Sequence, residues 1–267
     1  MVNKKKALGN KKMSIVQKIY LLSQGAKHKI ITFDIIESWS LCSKGVLKVA
    51  VHNLLKKGLF FSLKKGVYAV QPPFTKKVVI EDPFYTAQSL FNGYIGFSSA
   101  LYIHRLMDEI PFTVFISTKN QSLSKKIGEY EYKAVSLGDR FSGYIQKDNY
   151  LISNLPKTFF DCFYIPEYSG GYSNILRAMY RSNMTNEEWD EFLHYCEKEG
   201  GAFCQRIGYM LSLLKKPIPI LKILGKHAKN VIKLDPKAGK GMVNKEWKII
   251  DNIGRKQLMS WWYHGGA

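Results

Sequence analysis

The segment 59–70 constrains the fold more than any other. It contains two short runs rich in aromatic and β-branched residues, with Lys64-Lys65-Gly66 between them. Gly66 can supply the positive φ of a tight turn, so the segment predicts a β-hairpin with two lysines at its tip. Residues 44–57 before it have apolar positions at helical spacing and end at Gly58, a residue type that closes helices. A helix followed at once by a basic hairpin is typical of a winged helix-turn-helix.

The preceding residues complete this unit. Ser14 is a candidate N-cap of a first helix, Thr32 of a second helix over residues 33–39, and Ser43 of the third helix over residues 44–57. Two prolines after Gln71 cannot continue a strand ladder. The sequence therefore predicts a winged helix-turn-helix DNA-binding domain over residues 14–71, preceded by a basic arm of residues 1–13.

The third helix has two unlike faces. Leucine, valine and alanine residues share one face, while Lys44, Lys48, His52 and Lys56 recur every four residues on the other. Lysines can contact phosphates or guanine edges, His and Asn can bond base edges, and lysines at a hairpin tip can reach a neighbouring minor groove. The alternative is an ordinary solvated face. The predicted DNA-binding residues are Ser43, Lys44, Lys48, His52, Asn53, Lys56, Lys64 and Lys65.

Charge is concentrated at the two ends of the chain, whose formal net charge is +19. Residues 1–71 carry 14 Lys and Arg against 2 Asp and Glu, and residues 210–267 carry 12 against 3, while the middle is nearly neutral. This distribution favours double-stranded DNA as a partner, although basic ends can also serve only solubility. No apolar run is long enough to span a bilayer, and residues 1–12 lack the apolar core of a signal peptide, so we expect a cytoplasmic protein without a membrane partner.

Residues 72–216 predict a second domain of mixed α+β class. Helices come first and are followed by strands near residues 111–117, 130–136, 141–145 and 149–153, which indicates a largely antiparallel sheet. A short strand is also expected at 78–80. Further helices are predicted at 172–181, from Thr185 to Glu199, and at 202–215.

The last segment, residues 217–267, is a basic, aromatic-rich extension. Strands are expected near 219–224 and 231–236. Lysines interleaved with Trp247, Trp261, Trp262 and Tyr263 could engage nucleic acid through phosphates and stacking. The same tryptophans could instead complete a core.

Motifs for catalysis are absent from the sequence. It has no Walker loop, dinucleotide fingerprint or zinc-ligand cluster, so no catalytic residue, metal or cofactor is expected, and the four cysteines are expected to be reduced. Asp161 and Glu167 could form the acidic pair of a metal-dependent nuclease, but the Glu-x-Lys that commonly accompanies such a pair is missing. A structural Asp161, capping a helix or pairing with Arg177 or Arg181, is the preferred interpretation.

Three segments together resemble a known family. They are the hairpin region with its preceding Leu54-Leu55-Lys56-Lys57-Gly58, the segment from Gly93-Tyr94-Ile95-Gly96 to Leu101, and the block from Leu155 through Pro166-Glu167 to Gly170-Gly171. They resemble AbiEi-type antitoxins, which are transcriptional regulators of type IV toxin-antitoxin systems. Pro156-Lys157 stands where the family usually has Glu-Arg. The resemblance covers about residues 14–216.

The resemblance implies a regulator that binds inverted repeats upstream of its own operon, as a monomer or a dimer on DNA. It also implies that residues 72–216 antagonise a cognate nucleotidyltransferase-like toxin, functionally rather than through a stable complex. Two alternatives from other classes remain: a nuclease-like DNA-processing enzyme targeted by the winged helix, and an RNA-binding module that uses the basic tail.

Overall fold

The computed structural model describes residues 13–215 and 218–263 of the chain. By its contacts the chain divides into two compact units, Met1–Leu90 and Phe91–Ala267. Helices and strands occur in both units, which confirms the predicted mixed α+β class. The predicted basic arm lies outside the described residues except for Met13.

The first unit contains four helices and three strands in its described part. In chain order they are α1 (Ile15–Ser23), β1 (Ile30–Thr32), α2 (Phe33–Ser38), α3 (Lys44–Lys56), β2 (Phe60–Lys64), β3 (Val67–Val70) and α4 (Pro83–Leu90). Ser14 caps α1 in a capping box with Gln17, and Thr32 caps α2 by accepting from the Ile35 amide. The predicted caps at these two positions are therefore confirmed.

A three-stranded antiparallel sheet supports the helices, with strand order β1-β3-β2. Lys65 and Gly66 form the β2–β3 turn, and Gly66 has a φ of +74°, the conformation for which the sequence predicted glycine. The apolar face of α3 packs into the core of this unit. The buried residues of this core are Ile19, Ile31, Ile36, Leu47, Ala50, Val51, Leu54, Phe60 and Val70.

The first unit continues past the boundary predicted at Gln71. The Gln71 side chain is buried and its amide pairs with the backbone of Val79, accepting at 2.8 Å and donating at 3.1 Å. Further along, the Asp82 carboxylate lies 2.8 Å from His28 Nδ1, and the Tyr85 ring stacks on His28. The prolines do end the strand, but the chain returns to the same unit, and α4 belongs to it.

The second unit contains the remaining elements. In chain order they are β4 (Tyr94–Ile95), α5 (Phe97–Ile103), β5 (Thr113–Thr118), β6 (Leu123–Ile127), β7 (Tyr130–Ser136), β8 (Tyr144–Lys147), β9 (Tyr150–Ser153), α6 (Leu155–Tyr164), α7 (Tyr172–Arg181), α8 (Asn186–Glu199), α9 (Gly201–Leu213), α10 (Ile218–Gly225), β10 (Ile232–Lys233), β11 (Met242–Asn244), β12 (Ile249–Asp251), α11 (Arg255–Leu258) and α12 (Ser260–Tyr263).

Its main sheet has six strands in the order β6-β7-β5-β4-β9-β8. The β5–β7 and β4–β9 pairs are parallel and the other three are antiparallel, so the sheet is mixed rather than largely antiparallel. Gly93 and Gly96 lie against β5, where an added Cβ would meet Ser117 atoms at 2.1 and 2.5 Å. The glycines of the Gly-Tyr-Ile-Gly motif thus permit close approach of two backbone segments.

The helices of the second unit enclose a large apolar core. Phe159, Phe160, Cys162 and Phe163 of α6 are buried in it, and the Asn154 side chain caps this helix by accepting from the Lys157 amide. The cysteines Cys42, Cys162, Cys196 and Cys204 are all free. Buried residues beyond Gly225 belong to the same core, so the segment predicted as a separate extension completes this unit. These residues are Leu234, Trp247, Ile249, Leu258, Met259 and Trp261.

Three predicted strands differ from the structure. Residues 219–224 lie in α10, residues 78–80 are irregular, and residues 141–143 precede a strand that starts at Tyr144. Apolar runs this short fit a buried helix as well as a strand, and only tertiary packing decides between them.

Candidate nucleic-acid interface

Helix α3 presents its polar face to solvent in the first unit. Ser43 stands at the N-cap position with extended backbone, but its hydroxyl accepts no bond from the helix amides, so the predicted capping bond is not formed. Lys44, Lys48, His52 and Lys56 are exposed, and Asn53 is half-buried at the edge of the same face. The structure thus brings together the predicted residues of α3 on one surface.

The lysines of this face differ in their neighbours. Lys44 Nζ lies 2.9 Å from Glu37 Oε1 on α2, so part of its charge is already compensated. Lys48 and Lys56 form no ion pair with any residue of the part of the chain that is described. Their charges therefore remain available to an external anion.

The hairpin places its two tip lysines differently. Lys64 Nζ donates to the Leu90 carbonyl oxygen at 3.4 Å, at the end of α4. Lys65, in the turn itself, is exposed and makes no such contact within the described residues. Thr32–Phe33 backbone contacts hold the turn, since Thr32 pairs with Val67 and the Phe33 amide donates to the Gly66 carbonyl at 2.8 Å. Lys65 therefore lies in a turn whose backbone is fixed by hydrogen bonds.

The exposed face of α3 also contains residues that the sequence interpretation left unassigned. Gly45 is exposed, and Val46 and Val49 are 49% and 61% exposed. Helical spacing places Gly45 and Val49 on one line with His52 and Lys56. A helical-wheel projection of residues 44–56 would have found them.

A second polar cluster lies inside the second unit. Lys157 and Asp161, one turn apart on α6, form a fully buried ion pair, and the Tyr94 hydroxyl donates to Asp161 at 3.3 Å. Burial raises the pKa of the Asp161 carboxyl to about 6, opposed by the nearby Lys157 ammonium. Burial lowers the pKa of Lys157, opposed in turn by the Asp161 carboxylate.

The structure gives Asp161 different neighbours from those that the sequence predicted. Arg177 and Arg181, the predicted partners, instead contact Asp108, at 3.2 and 2.8 Å. Glu167 is exposed and pairs with Lys237, whereas Asp161 is inaccessible, so the two acids do not form the shared site that a nuclease pair requires. Among residues 13–215 and 218–263, no group of three or more His, Cys, Asp or Glu side chains is arranged to hold a metal ion.

A cavity of about 610 Å³ opens beside this core, between α6, α7, α9 and the segment after β10. Its floor is apolar, with Phe163, Ile207 and Met210, and its rim carries both signs of charge, including Arg206 and Glu199. Arg206 Nε donates to the Lys233 carbonyl oxygen, and Glu199 accepts a two-point contact from Arg140. Because these rim charges already have partners within the protein, the cavity favours neither an anionic nor a cationic ligand.

The comparisons with known proteins bear on the fold alone. No protein-family model matches the chain, and no curated protein matches it. Among solved structures, the fold is similar to the crystal structure of the Rv2827c protein of Mycobacterium tuberculosis, with a TM-score of 0.65. That likeness covers 94% of each chain at 13% sequence identity, so it supports the architecture without indicating an activity. Of the helices described, none has the length and apolar character needed to cross a membrane.

Proposed function

We propose that the protein is a DNA-binding transcriptional regulator whose first unit is a winged helix-turn-helix. In this proposal α3 is the recognition helix, the β2–β3 hairpin is the wing, and double-stranded DNA is the ligand. The order α1, β1, α2, α3, β2, β3, with β1 paired to β3, supports this assignment, because it sets a basic hairpin directly after a helix with an exposed polar face.

The observation that carries the proposal is the composition of the α3 face. Lys48 and Lys56, which pair with no described residue, flank His52, and Asn53 lies at the edge. The face thus combines phosphate-binding cations with side chains that can bond base edges. Exposed Val49 lies beside these side chains and adds an apolar group to the same face. Direct base readout accounts for the hydrogen-bonding side chains and for the exposed valine.

We further propose the biological role that the AbiEi resemblance implies. The protein would bind inverted repeats upstream of its own operon, as a monomer or a dimer, and its second unit would act as antitoxin to a nucleotidyltransferase-like toxin. No catalytic residue, metal or cofactor belongs to this role. The buried Lys157, in place of the family's arginine, would then be part of the core of the antitoxin unit rather than a toxin-facing surface.

A gel-shift experiment with the region upstream of the gene tests the DNA-binding proposal. We expect a discrete complex with the wild-type protein and its loss in the Lys48→Ala/His52→Ala variant, with Lys76→Ala as a control because Lys76 is exposed in the same unit but lies outside α3 and the hairpin. The proposal fails if the wild type shifts no part of the region, or if the double variant binds as the wild type does.

A different result would favour the enzyme alternative. Divalent-metal-dependent cleavage of DNA that disappears in a Glu167→Ala variant would show processing chemistry in the second unit. Binding of single-stranded RNA that depends on Trp262 and not on Lys48 would instead favour the basic tail as an RNA-binding segment, since Trp262 is about half exposed there.

A further inference from the structure

Gly45 is a glycine that the fold does not require. It lies in the first turn of α3 with helical backbone, outside the left-handed region. Apart from its chain neighbours and the local helix backbone, a Cβ added there would meet no atom of the described residues within 4 Å. Glycine destabilises a helix relative to alanine because it loses more backbone freedom on folding. No close approach of another described residue requires a glycine at this position, which points to a partner whose surface approaches the helix backbone.

Val49 lies one turn further along the same line. Its side chain is 61% exposed, and Leu47 and Val51 on the opposite face of α3 already fill the core. Lys48 and His52 lie beside it and are also exposed. An apolar side chain surrounded by cationic and hydrogen-bonding groups matches the floor of a DNA major groove, where the thymine methyl group is the apolar feature.

Together these residues define a contact line, Gly45-Val49, on α3. Resting on the proposed DNA-binding function, we infer that this line is the part of the helix that enters the major groove most deeply. Val49 packs against a thymine 5-methyl group, and the missing side chain at Gly45 admits the adjacent groove edge or phosphate to the helix backbone. The line thus specifies a thymine, while the lysines beside it contribute affinity for any sequence.

Selection from a random duplex pool with the wild-type protein, followed by replacement of each thymine by uracil, tests the role of Val49. Uracil differs from thymine only by the missing methyl group. We expect one or two positions at which uracil weakens wild-type binding about fourfold, the effect of burying one methyl group. In Val49→Ala this discrimination disappears, whereas Leu21→Ala, which truncates an exposed leucine on α1, retains it.

Side chains of increasing size test the role of Gly45. Gly45→Ala is expected to raise the thermal unfolding midpoint by up to about 4 °C through helix propensity, while weakening binding to the selected duplex. Gly45→Leu should weaken binding further without lowering that midpoint, because Gly45 is exposed and a Cβ at this position has open space around it among the described residues. A gain of stability with a loss of affinity separates a contact with DNA from damage to the fold.

The outcomes are distinguishable. If the Gly45 variants bind as tightly as the wild type, or if Val49→Ala keeps the full response to uracil, the inference is wrong while the proposed function stands. If the wild type enriches no duplex sequence from the pool, the proposed function is wrong and this inference fails with it.

Discussion

At the scale of single residues, the basic face is not a uniform charge. Lys44 is paired with Glu37 and Lys64 contacts a backbone carbonyl, whereas Lys48, Lys56 and Lys65 have no such neighbour among the described residues. An anion that binds Lys44 must compete with Glu37, and this reduces what Lys44 can contribute. Sequence spacing alone gave the three α3 lysines equal weight.

Lys48→Ala should therefore weaken DNA binding more than Lys44→Ala. We expect a roughly three- to tenfold loss of affinity for Lys48→Ala, with the slope of log Kd against log salt concentration reduced by about 1. Fluorescence anisotropy with a labelled duplex at several salt concentrations measures both quantities. Lys76→Ala, which removes an exposed lysine outside α3, serves as the control, and an equal effect of all three substitutions would contradict this ranking.

At the scale of elements, α6 depends on a polar pair inside an apolar environment. Lys157 and Asp161 are both fully buried, and the Lys157 ammonium lies 4.9 Å from the centre of the Phe160 ring. Desolvation costs such a pair much of its Coulombic gain, so the pair contributes little net stability, yet each partner needs the other. Removing one charge leaves the second buried without compensation.

Lys157→Met is accordingly expected to destabilise the second unit by about 3 to 5 kcal/mol. The double variant Lys157→Met/Asp161→Leu should recover most of this loss, except for the hydrogen bond from Tyr94, worth about 1 kcal/mol. Urea unfolding followed by tryptophan fluorescence reports on this unit, because four of the five tryptophans lie after residue 91. A double variant that is less stable than either single variant would contradict the account.

The same pair predicts a pH dependence of stability. The pKa of Asp161 is raised from an ordinary 3.8 to about 6, so between these pH values the folded protein holds a proton that the unfolded chain has released. The contribution of this group to the free energy of unfolding is therefore largest below about pH 4 and decreases as the pH rises through 6.

Unfolding of the wild type and of Lys157→Met/Asp161→Leu at pH 4, 5, 6 and 7 isolates this contribution. We expect the stability difference, wild type minus double variant, to decrease as the pH increases over this range. An increase instead would mean that attraction between the Asp161 carboxylate and Lys157 outweighs the effect of burial on the carboxyl pKa.

Elements defined by local chemistry were predictable from the sequence. The β2–β3 hairpin depends on runs of aromatic and β-branched residues and one glycine with positive φ, and the caps at Ser14 and Thr32 depend on side chains three residues from their partners. Features that depend on distant partners were not. Neither the parallel pairing of β5 with β7 nor the return of the chain from Gln71 to Val79 leaves a local pattern. The Lys157–Asp161 pair does have a local spacing of four residues, but the sequence alone did not distinguish Lys157 from Arg177 or Arg181 as the partner of Asp161.

The candidate site also combines features that the local sequence predicts with features that only the tertiary structure shows. The charged and polar residues of α3 follow from helical spacing, because a core-facing stripe fixes which positions face outward. The contact of Lys44 with Glu37 and that of Lys64 with Leu90 require the tertiary structure. Helical spacing also places Gly45 and Val49 on this face, whereas the open space around Gly45 and the exposure of Val49 required the structure.

At the scale of the whole molecule, the two units carry separate proposed tasks. The first unit has the exposed basic face, whereas the second has a large core to which the C-terminal segment contributes. A change confined to the α3 face should therefore leave the proposed antitoxin role intact. The basic segment after Pro217 keeps its lysines exposed while Trp247 and Trp261 are buried, so those two tryptophans serve the core.

Co-expression with a nucleotidyltransferase encoded next to the gene tests this separation. Lys48→Ala/His52→Ala should lose operator repression, measured with a promoter reporter, and still restore growth to cells that express the toxin. Lys157→Met, by destabilising the second unit, should do the reverse provided that the first unit remains folded, as checked by duplex binding. Parallel loss of both activities in the Lys48/His52 variant would contradict independent tasks.

The central claim is that DNA is bound through α3 and the hairpin. Hydrogen-exchange mass spectrometry of the full chain, with and without a duplex from its upstream region, tests it most directly. The account predicts slower exchange in peptides that cover Ser43–Lys56 and Phe60–Val70, with α8 and α9 of the second unit unchanged. Binding of the duplex without slower exchange in α3 and the hairpin would contradict it.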